Sequence, residues 1–103
     1  QESVVLRDRK QLSEDGIAVV IMGMNKTGEI TSGPEIISRG LVYTGEDALV
    51  KEAKQFILDT LNANPEKQTD YAIIKNDIRR ALSNFFFRKT KRRPMVLAFV
   101  FDN

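Results

Sequence analysis

Histidine, cysteine and tryptophan are all missing from the 103 residues. Without cysteine there is no disulfide framework, no thiol nucleophile and no thiolate metal ligand. Without histidine, the side chain that usually moves protons near neutral pH is gone as well. A self-contained catalyst is therefore not expected. No apolar run approaches the roughly 18 residues that a membrane span needs, so no membrane partner is expected either. Charge of one sign is also lacking: sixteen Lys and Arg face fourteen Asp and Glu, a net of +2, so any nucleic-acid role has to come from local clustering. There is no internal repeat and no low-complexity tract, which excludes solenoids and flexible tails. The length fits one domain over residues 1–103 with a single core. With no disulfides and no span, a cytoplasmic location is the default expectation. The chain starts at Gln1 with neither methionine nor a charged and apolar leader, and reads as an excised piece of a larger protein.

What is present is a mixed pattern. Ser3–Asp15, with Val4, Val5, Leu6 and Leu12 among charges, suits a short helix stopped at Gly16. Ile17–Met24 is nearly unbroken apolar sequence between turn signals, as expected of a strand buried on both faces or in mid-sheet. The turn Asn25–Gly28 predicts a hairpin whose second strand, Glu29–Ser32, ends at Gly33-Pro34. Pro34–Thr44 fits no single element and is assigned as an ordered connector. Leu49, Val50, Ala53, Phe56, Ile57 and Leu61 recur at helical spacing, and a second stripe follows in Tyr71, Ile74, Ile78, Ala81, Leu82 and Phe85. Thr69 is the expected cap of that second helix. Pro94 stops it, and Met95–Phe101 reads as a final strand. Two antiparallel helices return the chain so that this strand runs along Ile17–Met24 and opposite to the strand after the turn. The expected fold class is α+β: a small three-stranded sheet packed against two helices, element order α-β-β-α-α-β.

Three blocks now carry a family likeness: Val5-Leu6-Arg7-Asp8-Arg9 with Leu12-Ser13-Glu14-Asp15-Gly16, then Ser32-Gly33-Pro34-Glu35-Ile36-Ile37-Ser38-Arg39-Gly40, then Lys89-Thr90-Lys91-Arg92-Arg93-Pro94. In this order they resemble the C-terminal region of bacterial ribonuclease J, with the likeness running from Ser3 to about Asp102. The resemblance implies a parent of the metallo-β-lactamase and β-CASP nuclease family, a zinc-dependent 5′-to-3′ exoribonuclease and endoribonuclease. Its zinc site would lie in an upstream catalytic domain of the same chain, because such centres need histidines. No catalytic residue, metal ligand or cofactor is carried over to this chain. The implied role is that of an accessory domain supporting activity and homo-oligomer assembly.

Arg88, Lys89, Lys91, Arg92 and Arg93 put five cations into six positions, enough for a salt-dependent attraction to RNA. The plainer readings are solvated charges that complement a helix C-terminus and ion pairs across a domain boundary. Arg39 is a further candidate for RNA or interdomain contact, against a local salt bridge. Phe85-Phe86-Phe87 spaces three rings about 100° apart on a helix, so a small core cannot bury all three. Phe86 or Phe87 is then a candidate interface anchor, against the alternative that Phe87 folds under the connector. The acids Glu14-Asp15 and Glu46-Asp47 match no cation loop and suit turn and helix-start roles. A second reading of function comes from element order alone, which is also that of a KH-like RNA-binding module acting through the basic turn. Its weak point is Asn64-Pro65-Glu66-Lys67, which has no glycine where a GXXG backbone clamp is needed.

Overall fold

The hairpin turn is built by one side chain. Asn25 Oδ1 accepts hydrogen bonds from the Thr27 amide at 3.0 Å, the Thr27 hydroxyl at 2.8 Å and the Glu29 amide at 2.9 Å. A short polar side chain that bonds the backbone two residues on is what makes Asn a turn former. Gly28 closes the turn at φ 86°, where a Cβ would lie 2.7 Å from that of Lys67. The hydrogen bonds from Asn25 and Thr27 to Glu29 hold its carboxyl below the usual carboxylate range.

The computed structural model describes residues 9, 15–41, 45–64 and 66–103. The turn joins β1 (Ile17–Met24) to β2 (Ile30–Arg39), and α1 (Glu46–Asn62), α2 (Tyr71–Thr90) and β3 (Met95–Asp102) follow. The sheet order is β2-β1-β3, with β2 antiparallel and β3 parallel to the central strand. Both helices pack on one face, α1 toward β2 and α2 toward β3. The α+β class, the two helical stripes and the direction of the last strand are as expected. The helix expected over Ser3–Asp15 lies outside the described residues apart from Arg9 and Asp15, and so do Val42–Thr44 of the connector.

Two expectations are corrected, and for β1 the mid-sheet alternative holds. β2 does not end at Ser32 but continues through Gly33 and Pro34 to Arg39, so most of the expected connector is strand. A proline is tolerated there because β2 is an edge strand and the register slips between Ile21 and Met24, leaving Gly33 and Pro34 as a bulge with no register partner in β1. β1 lies in mid-sheet, but it is not buried on both faces: Ala18, Val20, Met22 and Met24 are enclosed while Ile21 is exposed. The cap of α2 is Asp70 rather than Thr69, its carboxylate accepting from the amides of Ala72 and Ile73. An ionised acceptor at a helix N-terminus also meets the positive end of the dipole.

The core is one cluster under the sheet: the inner row of β1, Ile36 of β2, Ala98 and Val100 of β3, Leu49, Ala53 and Ile57 of α1, and Ile74, Ile78, Leu82, Phe85 and Phe86 of α2. Two devices hold its ends. At one end Gly16, at φ 86°, brings its backbone so close to β2 that a Cβ would stand 2.6 Å from the Arg39 carbonyl oxygen, while its own carbonyl accepts from the Met95 amide. At the other end the Tyr71 hydroxyl lies 3.1 Å from the Met24 carbonyl and 3.4 Å from Asp102 Oδ1. Loss of solvation, and then the neighbouring Asp102 carboxylate, push the Tyr71 phenol above its ordinary value of 10.0.

Two outcomes follow for stability. Gly16→Ala has to distort all three strands or their junction and should lower the unfolding free energy by at least about 2 kcal/mol in urea titration. Tyr71→Phe should lower the unfolding free energy at pH 7, because it removes the hydroxyl contacts to the Met24 carbonyl and Asp102. Because the raised pKa favours the neutral phenol in the folded state, that contribution is fully present below pH 10 and is lost as pH rises through the folded value. The gap between wild type and Tyr71→Phe should therefore close in strongly alkaline urea titrations.

Candidate interaction surfaces

The basic turn is shaped by the end of α2. Lys91 takes a left-handed conformation at φ 61° and its amide returns to the Phe87 carbonyl at 2.8 Å, an αL stop. The Thr90 hydroxyl donates to the Phe86 carbonyl and accepts from the Arg92 amide at 3.1 Å, and buried Pro94 leads into β3.

Within this turn the five cations point to different partners. Lys89 pairs with Glu52 of α1 at 2.9 Å, and Arg88 lies over the Phe56 ring. Arg92 lies 3.6 Å from Asp15, whose other carboxylate oxygen accepts the Arg93 amide. Lys91 and Arg93 both lie over Phe87, Arg93 at 4.4 Å from the ring centroid with a further hydrogen bond to Ser83. Exposed ion pairs and cation–ring contacts are each worth at most about 1 kcal/mol, so these contacts position the side chains without fixing them. Arg39 donates to the neighbouring Ser38 carbonyl at 2.7 Å. Its register partner Ile17 also pairs with Met95, which places Arg39 at the same end of the sheet as the basic turn, two strands across. Beside it, the Ser38 hydroxyl donates to Glu46 at 2.7 Å. The result is a cation-rich end with acids interspersed. Among the described residues no group of three or more Asp or Glu side chains is placed to hold a metal ion, and no helix is long and apolar enough to cross a membrane.

The three phenylalanines separate as their 100° steps require, but not in the way expected for Phe86. Phe86 is fully buried, a core residue edge-on to Phe85, and cannot anchor an interface. It follows Ile78 and Leu82 at four-residue steps, on the same buried stripe of α2. Phe87 is the ring that turns outward, 38% exposed beneath its two cations.

A larger surface was not read from the sequence. On the sheet face away from the helices, Ile21, Ile37, Leu97, Phe99 and Phe101 are all exposed, with Phe99 at 54% and Ile37 at 47%. Register makes them one patch: Val19 sits between Ile37 and Leu97, and Ile21 sits beside Phe99. The signal lay in Met95–Phe101, which is apolar on both faces although the two long helices among the described residues cover one side of the sheet. Contiguous apolar surface rimmed by charge is characteristic of association sites.

Comparison with known proteins identifies the family. The family model described as Ribonuclease J C-terminal domain matches residues 4–103. The chain belongs to that family. It is 36% identical over 103 residues to ribonuclease J2 of Bacillus subtilis, covering 97% of this chain and 19% of that protein. It is 40% identical over 98 residues to ribonuclease J 2 of Staphylococcus aureus, covering 92% of this chain and 18% of the relative. The chain thus spans about a fifth of the length of the curated relatives it matches. Among the described residues, the helix end carries the clustered cations and the outer sheet face carries the exposed apolar side chains.

The two adjacent rings provide a contrast in stability. Phe86→Ala should cost about 3–5 kcal/mol through loss of buried area and the cavity left behind. Phe87→Ala should cost under about 1 kcal/mol, because it removes only a half-exposed ring and two cation contacts. Paired urea titrations check the order, and equal costs would contradict the assignment of core and surface.

Proposed function

We propose that this chain is the non-catalytic C-terminal domain of a ribonuclease J, serving the assembly and activity of an upstream zinc-dependent 5′-to-3′ exo- and endoribonuclease in cytoplasmic RNA processing and decay. The observation that carries the reading is the bare apolar sheet face on a chain without histidine or cysteine. Family membership and relatives that are about five times as long support a parent whose chemistry is housed elsewhere.

The physical role follows from what such a surface does. Apolar side chains left in water gain on the order of 25 cal/mol per Å² when covered. Joining two catalytic units through such a contact raises the local concentration of active sites on one RNA without changing the chemistry at either. Zinc, in this reading, is held by the upstream part and supplies the activated water for phosphodiester hydrolysis; residues 1–103 hold neither the metal nor the reacting phosphate. The second reading, a KH-like RNA-binding module, draws support from Arg39 standing at the same end of the sheet as Arg88, Lys89, Lys91, Arg92 and Arg93.

Deleting residues 1–103 from the parent enzyme, then measuring oligomeric mass by light scattering together with decay of a labelled RNA, separates the two. Loss of assembly with slowed decay is expected. Intact assembly with weaker, more salt-sensitive RNA affinity would favour RNA contact instead, and no change in either would contradict both.

A further inference from the structure

The two edges of the sheet are unlike. The β2 edge carries the bulge at Gly33-Pro34, the ion pair of Glu35 with Lys54 at 3.7 Å, and Arg39. These are the devices that keep an exposed edge from pairing with another strand. β3 has none of them. It pairs with β1 without a slip over all eight residues, and from Met95 to Phe101 it contains no charge, proline, glycine or bulge.

Its hydrogen-bonding groups are also sorted. The Met95 amide donates to Gly16 and the Asn103 amide donates to Met24. Since backbone groups alternate sides along a strand, the odd-numbered residues of β3 face β1. The N–H and C=O groups of Val96, Ala98, Val100 and Asp102 therefore face the open edge, where no strand of the described residues pairs with them.

We propose that this edge pairs with the same edge of a second copy of the chain, antiparallel about Ala98, joining two sheets into one of six strands. The proposal rests on the assembly reading above and names the surface that performs it. Three features favour a second copy over an unrelated strand. Pairing about Ala98 sets Val96 opposite the partner's Val100, so that every open amide meets an open carbonyl. It sets Leu97 opposite the partner's Phe99 on the outer face, an aliphatic–aromatic cross-strand pair of the stabilising kind, and leaves the small Ala98 at the centre of the helix-covered face, where the two α2 helices approach. Reversal also brings the Arg92–Arg93 end of each strand to the Asp102 end of the other, so opposite charges meet at both ends of the seam. The paired outer rows of Leu97, Phe99 and Phe101 then form one apolar strip across the junction.

Amide exchange followed by NMR tests the pairing on the unmodified chain. At low concentration the amides of Leu97, Phe99 and Phe101 should be protected and those of Val96, Ala98 and Val100 should not. At high concentration these three even-numbered amides should slow by about tenfold or more as pairing populates. Sedimentation of two variants locates the contact. Ala98→Pro, which removes an edge donor not used by β1, should halve the mass, whereas Ile37→Lys, two strands away on the outer face, should leave the dimer intact. Self-association without protection of the even-numbered amides, or lost by Ile37→Lys and kept by Ala98→Pro, would overturn edge pairing in favour of face-to-face stacking while leaving the assembly reading in place. Protection of the even-numbered amides in a chain that sediments as a monomer, or a chain that stays monomeric at the highest concentration, would overturn the pairing itself. The deletion experiment on the parent would still decide the assembly reading.

Discussion

Burial of the inner row of β1 is the interaction on which the rest of the molecule depends. Ala18, Val20, Met22 and Met24 sit in the middle of the sheet and share one core with residues from both helices and both flanking strands. Three strands about 4.8 Å apart make a narrow sheet, and two helices about 10 Å wide suffice to cover one face of it. No described element is left to cover the other face. The exposure of Ile21, Ile37, Leu97, Phe99 and Phe101 follows from that layer count as directly as the burial of the core does.

The same constraint explains which features were legible in the residues. Periodicity places Leu49, Ala53 and Ile57, and likewise Ile74, Ile78 and Leu82, because a helix has one covered face and the spacing records it. The turn at Asn25–Gly28 is legible because its conformation is made by local chemistry. β2 runs past Gly33-Pro34 because proline ends a strand only when its missing donor is needed, and need depends on whether the strand is an edge. Strand order is not a local property, so the residues nearest the proline do not carry it. Thr69 and Asp70 are both good caps, and the choice between them turns on where the connector delivers the chain. The candidate site divided in the same way. That one phenylalanine of three must face outward is a matter of 100° steps, but whether it is Phe86 or Phe87 depends on where β3 lies against α2. The bare sheet face required knowing that both helices fall on one side.

Charge and apolar surface are laid out on separate parts of the domain. The cations of the α2 end and Arg39 gather where β1 and β3 begin, partly held by Asp15, Glu52 and Phe87. The apolar side chains occupy the outer sheet and the β3 edge. A protein that only needed to stay soluble would have little use for Phe99 in water at 54% exposure, and the protection built into β2 makes its absence from β3 a difference between two edges of one sheet. The arrangement suits a domain whose contribution is contact, and the chain spans about a fifth of the length of the curated relatives it matches.

The central claim is that residues 1–103 act through surfaces and perform no bond chemistry. It is tested most directly by incubating the purified chain with 5′-labelled RNA, with and without added zinc or magnesium, and following the label on a sequencing gel. Full-length RNA throughout is the predicted result. Cleavage that a single substitution within the chain abolishes would contradict it.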